Sequence, residues 1–471
     1  MLENLEPKIV WKYFEEICKI PRCSKHEEKI AEYIMEVARK HGLEVEKDSI
    51  GNVIARKKAN GYENAPMITL QCHMDMVCEK NKDVEHDFSR DAIKPYIDGE
   101  WVKARGTTLG ADNGIGLALC LALMEAKDIK HGPLEFLFTV DEETGLTGAF
   151  GVKKEFIKGN LLINLDSEDF GVIYIGCAGG GNSTIKLPLK FKSVDKEGFR
   201  IAVKGLKGGH SGIEIDKGRA NSIKLMARIL YNINATISKI EGGDKHNAIP
   251  REAVAEIIAS EDAMQKIKEI EEAFKNEFSK TEPNLKVEVE KCRIAKILDE
   301  ESNEKLIKLL MSLPHGVLAM SQEVKDLVET STNLATIRMN DEATIVMSSR
   351  SSINSALDAV MQSIRCLAEL AGANVEEGSK YPGWKPNLES KLLKIASDAF
   401  KELYGKEPEK KAIHAGLETG VIGDITGIKE IISIGPQIEH PHSPDERVHI
   451  KSVEDFWKYL IHLIDKVAKE W

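Results

Sequence analysis

The chain has 471 residues, 30% of them charged and 42% hydrophobic, with a formal net charge of -11. That acidic balance argues against a nucleic acid or an anionic membrane as partner, since both require a basic face. No apolar run approaches the roughly 18 residues that a membrane span needs. The length is more than one ordinary core serves, so two domains, or one domain carrying a large insertion, are expected. The eight cysteines (18, 23, 72, 78, 120, 177, 292 and 366) are scattered, mostly in apolar runs, without a C-x-x-C pair. That pattern predicts reduced thiols and, with no secretory layout over residues 1–19, a cytoplasmic location.

In chain order, residues 7–19 and 25–41 have helical spacing, and Ser24 with Glu27 or Glu28 is a candidate cap for the second helix. A short hairpin over 44–47 and 51–56 feeds a buried strand at 67–72, which ends in His73-Met-Asp75. A hairpin about Asp98-Gly99 leads to Gly110-Ala-Asp112-Asn-Gly and an Ala- and Leu-rich helix to about 126. The glycines there fit neither a P-loop nor a dinucleotide fingerprint, and an Asp in mid-turn is better read as a metal ligand. Strand 134–140 runs into Asp141-Glu142-Glu143-Thr-Gly, and strand 161–165 into Asp166-Ser-Glu168. Carboxylates crowded at the ends of apolar strands are costly unless a cation neutralises them or one holds a proton.

From about Leu187 the pattern changes to helices interleaved with antiparallel strands. One set covers 199–203, 219–235, 237–241, 252–258, 261–279 and 285–291; a second, similar set covers 301–312, 333–338, 343–349, 354–371 and 373–380. This is an α+β layer pair and reads as a diverged duplication. After the turn-rich Tyr381–Pro386 segment the α/β pattern returns with a helix at 389–403, a strand at 430–434, a loop carrying His440 and His442, and a final helix at 452–469. The expected domains are therefore 1–186 and 383–471, forming one interrupted α/β domain, with 187–382 inserted.

The strand-end residues His73, Asp112, Glu143, Asp166 and His442 would satisfy two zinc-like ions if one carboxylate is shared, and Glu142 is left over as a candidate general base. With these residues, the motifs Asn164-Leu-Asp166-Ser-Glu, Gly208-Gly-His210-Ser-Gly and His442-Ser-Pro-Asp-Glu446 make the chain resemble the M20 metallopeptidase family, in particular its aminoacyl-histidine dipeptidase branch, over essentially its whole length. The resemblance implies a zinc-peptidase-like catalytic domain with a central mixed sheet, interrupted by an inserted α+β lid domain. It also implies two Zn2+ per chain, with Co2+ or Mn2+ as substitutes. His73 and Asp166 would hold one ion, Glu143 and His442 the other, and Asp112 would bridge them; His440 is a rival for His442 in the same loop. Asp75 would orient His73, Glu142 would act as base, His210 on the lid would polarise the scissile carbonyl, and the Asp112-Asn113 peptide would be cis. Arg350, Asn247, His414 and Gly416 are candidates for gripping substrate termini.

The implied reaction is hydrolysis of dipeptides of the Xaa-His type, such as carnosine, with broad specificity. A tripeptidase or N-acyl-amino-acid amidohydrolase of the same superfamily, and an inactive binding protein, are the alternatives. Either a monomer or a homodimer through the lid is compatible with the sequence.

Overall fold

A computed structural model describes residues 2–260 and 262–471 and divides the chain into two compact units. The first comprises residues 1–176, 386–412 and 417–471, and the second comprises 177–385 with 413–416.

The first unit is built on a mixed eight-stranded sheet. Its order is Glu44–Lys47, Val53–Lys57, Leu134–Thr139, Ile68–His73, Leu161–Asn164, Glu430–Ser433, Val172–Cys177 and Glu409–Ile413. The four middle strands, from Leu134–Thr139 to Glu430–Ser433, are mutually parallel. Three of them are buried along their whole length, as parallel strands covered on both faces require. The Ala- and Leu-rich stretch forms the helix Ala111–Glu125, buried on nearly every side, while Lys8–Ile17, Glu28–Lys40 and Ile450–Glu470 bury one stripe each. A smaller antiparallel sheet joins Pro95–Asp98 and Trp101–Ala104 to Arg447–His449 and Ile438–Glu439, which flank the segment carrying His442.

The second unit carries a sheet of order Lys286–Leu298, Phe191–Lys204, Ala253–Ile258, Thr236–Gly242, Val328–Met339, Glu342–Ser351, Gly179–Pro188 and Asn374–Glu377, with Gly316–Met320 paired to Val328–Met339. Phe191–Lys204, Thr236–Gly242, Ala253–Ile258 and Lys286–Leu298, counted along the chain, stand in the order 4-1-3-2, with helices Ser222–Asn232 and Ala263–Glu277 in the 1-to-2 and 3-to-4 connections. The remaining four, Gly179–Pro188, Val328–Met339, Glu342–Ser351 and Asn374–Glu377, stand as 2-3-1-4, with helices Glu300–Ser312 and Asn354–Leu370. Each half is thus a βαββαβ unit with its neighbouring strands antiparallel. The two meet at Gly242 and Ile337.

The first copy is threaded into the second, between that copy's first strand and its first helix. This explains the boundary at 176/177 rather than 186/187. Gly179–Pro188 opens with three glycines and gives no strand signal there, yet it pairs along its length with Glu342–Ser351. Residues 413–416 also group with the second unit, a crossing that no composition change marks. The helix expected at 261–279 runs Ala263–Glu277, and residue 261 lies outside the described residues.

Two further expectations are corrected. Ser24 does not cap its helix, which has no side-chain cap; its hydroxyl donates to Asp75 instead, at 2.7 Å. Cys23 and Cys78, 55 positions apart, form a disulfide, and the other six cysteines are in no disulfide. A bridge between Cys23 and Met76 carries these two cysteines together, a proximity invisible in their spacing. Among the described residues no helix is long and apolar enough to cross a membrane.

Asn221 shows how the second unit's core is tied to its sheet. Its side-chain oxygen caps Ser222–Asn232 by accepting from the N–H groups of Ile223 and Lys224, and its amide donates to the Leu334 carbonyl at 2.8 Å; the bonds to Ile223 and Leu334 are buried. Asn221→Ala should cost about 2–3 kcal/mol, because cap and cross-link vanish together and strand out buried partners. Urea unfolding followed by circular dichroism checks this, and Asn221→Asp should recover the cap alone.

Candidate active site

The parallel register sets the site. His73 pairs with Thr139 and Gln71 with Asn164, so Leu161–Asn164 stops two residues short of the other two strands, and the ends of the three and the segments that follow carry His73, Asp141 to Glu143, and Asp166 to one edge of the sheet. Asp112 enters from the turn into the Ala- and Leu-rich helix, where the Asp112-Asn113 peptide is cis. His442 enters from the loop between the two short strands of the smaller sheet, with a positive φ of 61°.

The side chains converge closely. His73 Nε2 lies 3.0 Å from Asp112 Oδ1 and 3.2 Å from Asp166 Oδ1, and His442 Nε2 lies 3.0 Å from both Asp112 Oδ2 and Glu143 Oε2. Asp112 therefore offers one oxygen to each imidazole. Among the described residues four three-residue groups have ligand atoms within 4.8 Å of one another: His73 with Asp112 and Asp166, Asp112 with Glu143 and His442, His73 with Glu142 and Glu143, and Glu27 with Asp75 and Asp141; the first two share Asp112. His440 makes no such approach; its carbonyl accepts from Ser443.

Asp75 sits behind His73, with Oδ1 3.2 Å from Nδ1. It also accepts from the backbone N–H groups of Glu142 and Glu143 and from the Ser24 hydroxyl. One buried carboxylate thus fixes an imidazole and the turn bearing two glutamates. Glu446, also buried, accepts from the N–H groups of Leu109 at 2.7 Å, Gly110 at 2.8 Å and Asp112 at 3.1 Å. It pairs with backbone donors rather than a basic side chain, and it ties the His442 loop to the Asp112 turn. The buried Arg22 guanidinium donates to the carbonyls of Met74, Asp75 and Gly110. Asn113 donates to Asp166.

The electrostatics are those of a site short of positive charge. Burial and neighbouring carboxylates push Glu142 well above the ordinary glutamate range, against the pull of His73. Burial first, then the charges of Asp112 and Asp166, raise Glu168 to about 8. Hydrogen bonds to Asp112 and Glu143 raise His442 to about 11, and burial of Asp112 is outweighed by its two imidazole partners, which hold its carboxyl low. Glu143 Oε1 is buried with no hydrogen-bond partner. Two imidazoles and three carboxylates crowded around a partnerless buried oxygen are a donor set that fits a pair of divalent cations and is costly without them.

The remaining expected residues lie in the second unit. His210 Nδ1 accepts from the N–H groups of Gly212 and Ile213, both at 3.2 Å, which places the proton of the neutral ring on Nε2. Burial and the Arg350 charge lower its pKa and favour that neutral form. Arg350 Nη1 donates to the Tyr381 hydroxyl at 3.0 Å, while its buried Nε has no partner. His414 Nε2 meets the Ser331 hydroxyl at 2.7 Å. A side chain on Gly416 would strike the Tyr381 ring, so that position needs glycine. Asn247 and His210 line one cleft of about 990 Å3, and Ser211 N–H donates to the Asn247 carbonyl. Sequence reasoning gave Ser24 a capping role and gave none to Arg22 or Glu418, whose signals are single polar residues in otherwise ordinary context.

A cluster of imidazoles and carboxylates able to take metal at the ends of a parallel sheet, in a unit interrupted by a duplicated α+β unit, is the architecture of a metallopeptidase class. The family model of peptidase family M20/M25/M40 matches residues 69–466, and the chain belongs to that family. It is 43% identical to the cytosol non-specific dipeptidase of Escherichia coli over 99% of both chains. It is 25% identical to peptidase T of Clostridium novyi over 45% of this chain and 51% of the relative. Among solved structures, the aminoacylhistidine dipeptidase from Vibrio alginolyticus superposes with a TM-score of 0.93 at 41% identity, covering 99% of this chain and 98% of that one. Aminopeptidase PepT from Bacillus cereus shares the fold, with a TM-score of 0.59 at 19% identity over 98% of this chain and 99% of that one.

Glu446→Gln replaces one of two accepting oxygens with a donor facing backbone N–H groups. It should cost the chelated protein about 2–3 kcal/mol, the penalty for leaving buried donors unmet. Denaturant unfolding in the presence of a chelator measures it.

Proposed function

We propose that the chain hydrolyses dipeptides, aminoacyl-histidines among them, in the cytoplasm, with two divalent cations, zinc foremost and Co2+ or Mn2+ as substitutes. The observation that carries this reading is Asp112 presenting one oxygen to each of two imidazole and carboxylate groups, the arrangement a shared ligand needs. His73 and Asp166 would hold one ion, Glu143 and His442 the other, and Asp112 both. When bound, the ions supply Lewis acidity toward water and toward a substrate carbonyl. The full-length similarity to a cytosol non-specific dipeptidase and to an aminoacylhistidine dipeptidase supports both substrate class and location.

The protein's own groups do the rest. Glu142, whose burial gives it a high proton affinity, takes a proton from the attacking water and returns it to the leaving amine. Asp75 keeps His73 in the tautomer that turns Nε2 toward the site. His210, with its proton on Nε2, is prepared to donate to an oxygen that gains charge as the amide is attacked. Arg350 suits a substrate carboxylate, with Asn247, His414 and Gly416 shaping the same recognition. A tripeptidase or N-acyl-amino-acid amidohydrolase would use the same centre, and an inactive binding protein would lack turnover altogether. Metal analysis combined with a panel of dipeptides, tripeptides and N-acyl amino acids separates these readings.

Chelation should abolish hydrolysis, and two equivalents of Zn2+ should restore it. Because His442 holds its proton up to about 11 without a cation, protons compete with metal, so affinity should rise with pH and binding should release protons. Calorimetric titration in buffers of different ionisation enthalpy reads this directly; a buffer-independent heat contradicts it.

Glu142→Gln should keep both ions and lower kcat by about 10²–10⁴. Near-normal kcat in a fully metallated variant would move the base to Glu168.

A further inference from the structure

Beneath the cation site lies a row of buried polar side chains that the mechanism does not use. Gln71, Thr139, Asn164, Ser433 and Glu418 are all 0–1% exposed, in the interior of the first unit. Gln71 stands two residues before His73 and Asn164 two before Asp166, so along strands of period two they share the ligands' face, one step deeper. Glu418 opens the helix Glu418–Thr426 and reaches the row from the far side of the sequence.

The hydrogen bonds in this row have a direction. Glu418 Oε2 accepts from Gln71 Nε2 at 2.6 Å and from the Thr139 hydroxyl at 2.7 Å, while its Oε1 is buried without a partner. Gln71 Oε1 accepts from Asn164 Nδ2 at 2.6 Å. Asn164 Oδ1 then accepts from the Asp166 backbone N–H at 3.2 Å and from the Ser433 hydroxyl.

An amide side chain has one donating and one accepting end, so each link fixes the next. Turning Gln71 over would set its amide group against that of Asn164; turning both would set the Asn164 amide against the Asp166 N–H. Glu418 Oε2, which accepts from both Gln71 and Thr139, anchors the sense of the chain. Burial raises Glu418 to about 8, against the pull of the His73 charge; a proton on the partnerless Oε1 leaves Oε2 accepting.

We propose that Glu418 is a positioning residue for the cation held by His73 and Asp166, acting through Gln71 and Asn164 on the backbone that carries Asp166. The proposal rests on the two-ion reading of the site. Partners behind metal ligands typically contribute about 10–100-fold to metal affinity.

The test is Zn2+ competition against a chromophoric chelator on the purified full-length chain, with the metal-free melting curve recorded alongside. Glu418→Leu should weaken one of the two ions by about 10–100-fold and leave the other unchanged. Glu418→Gln offers an amide oxygen to the same two donors and its NH2 to the side where no partner stands, so it should keep both affinities. Gln71→Met interrupts the next link with Glu418 intact, and should reproduce the selective loss; the double variant should be no worse than either single one. If Glu418→Leu does not fold, Gln71→Met with Glu418→Gln carries the comparison. Undiminished affinity for both ions in Glu418→Leu or Gln71→Met, equal weakening of both ions, or a Glu418→Gln as damaged as Glu418→Leu would overturn the proposal. An unaltered protein that binds fewer than two ions would instead overturn the two-ion reading.

Discussion

The first unit depends on one electrostatic problem: several carboxylates are brought to the same edge of a buried parallel sheet. Asp112, Glu142, Glu143 and Asp166 crowd together there, and the cationic side chains that meet them directly are the imidazoles of His73 and His442. Such a cluster repels itself unless cations share it. Its persistence in a folded chain is the physical reason to read the site as built for metal.

Holding that cluster takes more side chains than it contains. Asp75 serves His73 on one side and two backbone N–H groups on the other, so imidazole and acidic turn keep one geometry. Glu446 does the corresponding work for the Asp112 turn, using the backbone donors that open a helix. Arg22 clamps three carbonyls between these two places, with Gly110 common to both arrangements. The site is thus fixed chiefly by charge meeting backbone, in an interior where each such bond is strong and each omission expensive.

The second unit solves a different problem. Two βαββαβ copies each present one helical layer to one sheet, and joining their edge strands at Gly242 and Ile337 makes a single apolar core from Ile185 to Ala373. The chain passes between the two units at 176/177, 385/386, 412/413 and 416/417. His210, Arg350, His414 and Gly416 come from separate parts of this unit, and their preparation lies in the neighbours they meet there: Gly212, Tyr381 and Ser331.

The sequence by itself determined most of the helices, the buried central strands and the residue types at their ends, because burial period and side-chain chemistry are local. His73, Asp112, Glu143, Asp166 and His442 were therefore legible as a set, and the structure brings these five together. Tertiary structure alone decided what is non-local. Ser24 looked like a cap and serves Asp75, and Gly179–Pro188 looked like the tail of one domain and is a strand of the other. Cys23 and Cys78 gave no sign of pairing, and Glu418 gave none of reaching Gln71, 347 positions away. A hydrogen bond or disulfide between distant segments depends on where the backbone carries them, and no period or spacing within either segment encodes that meeting.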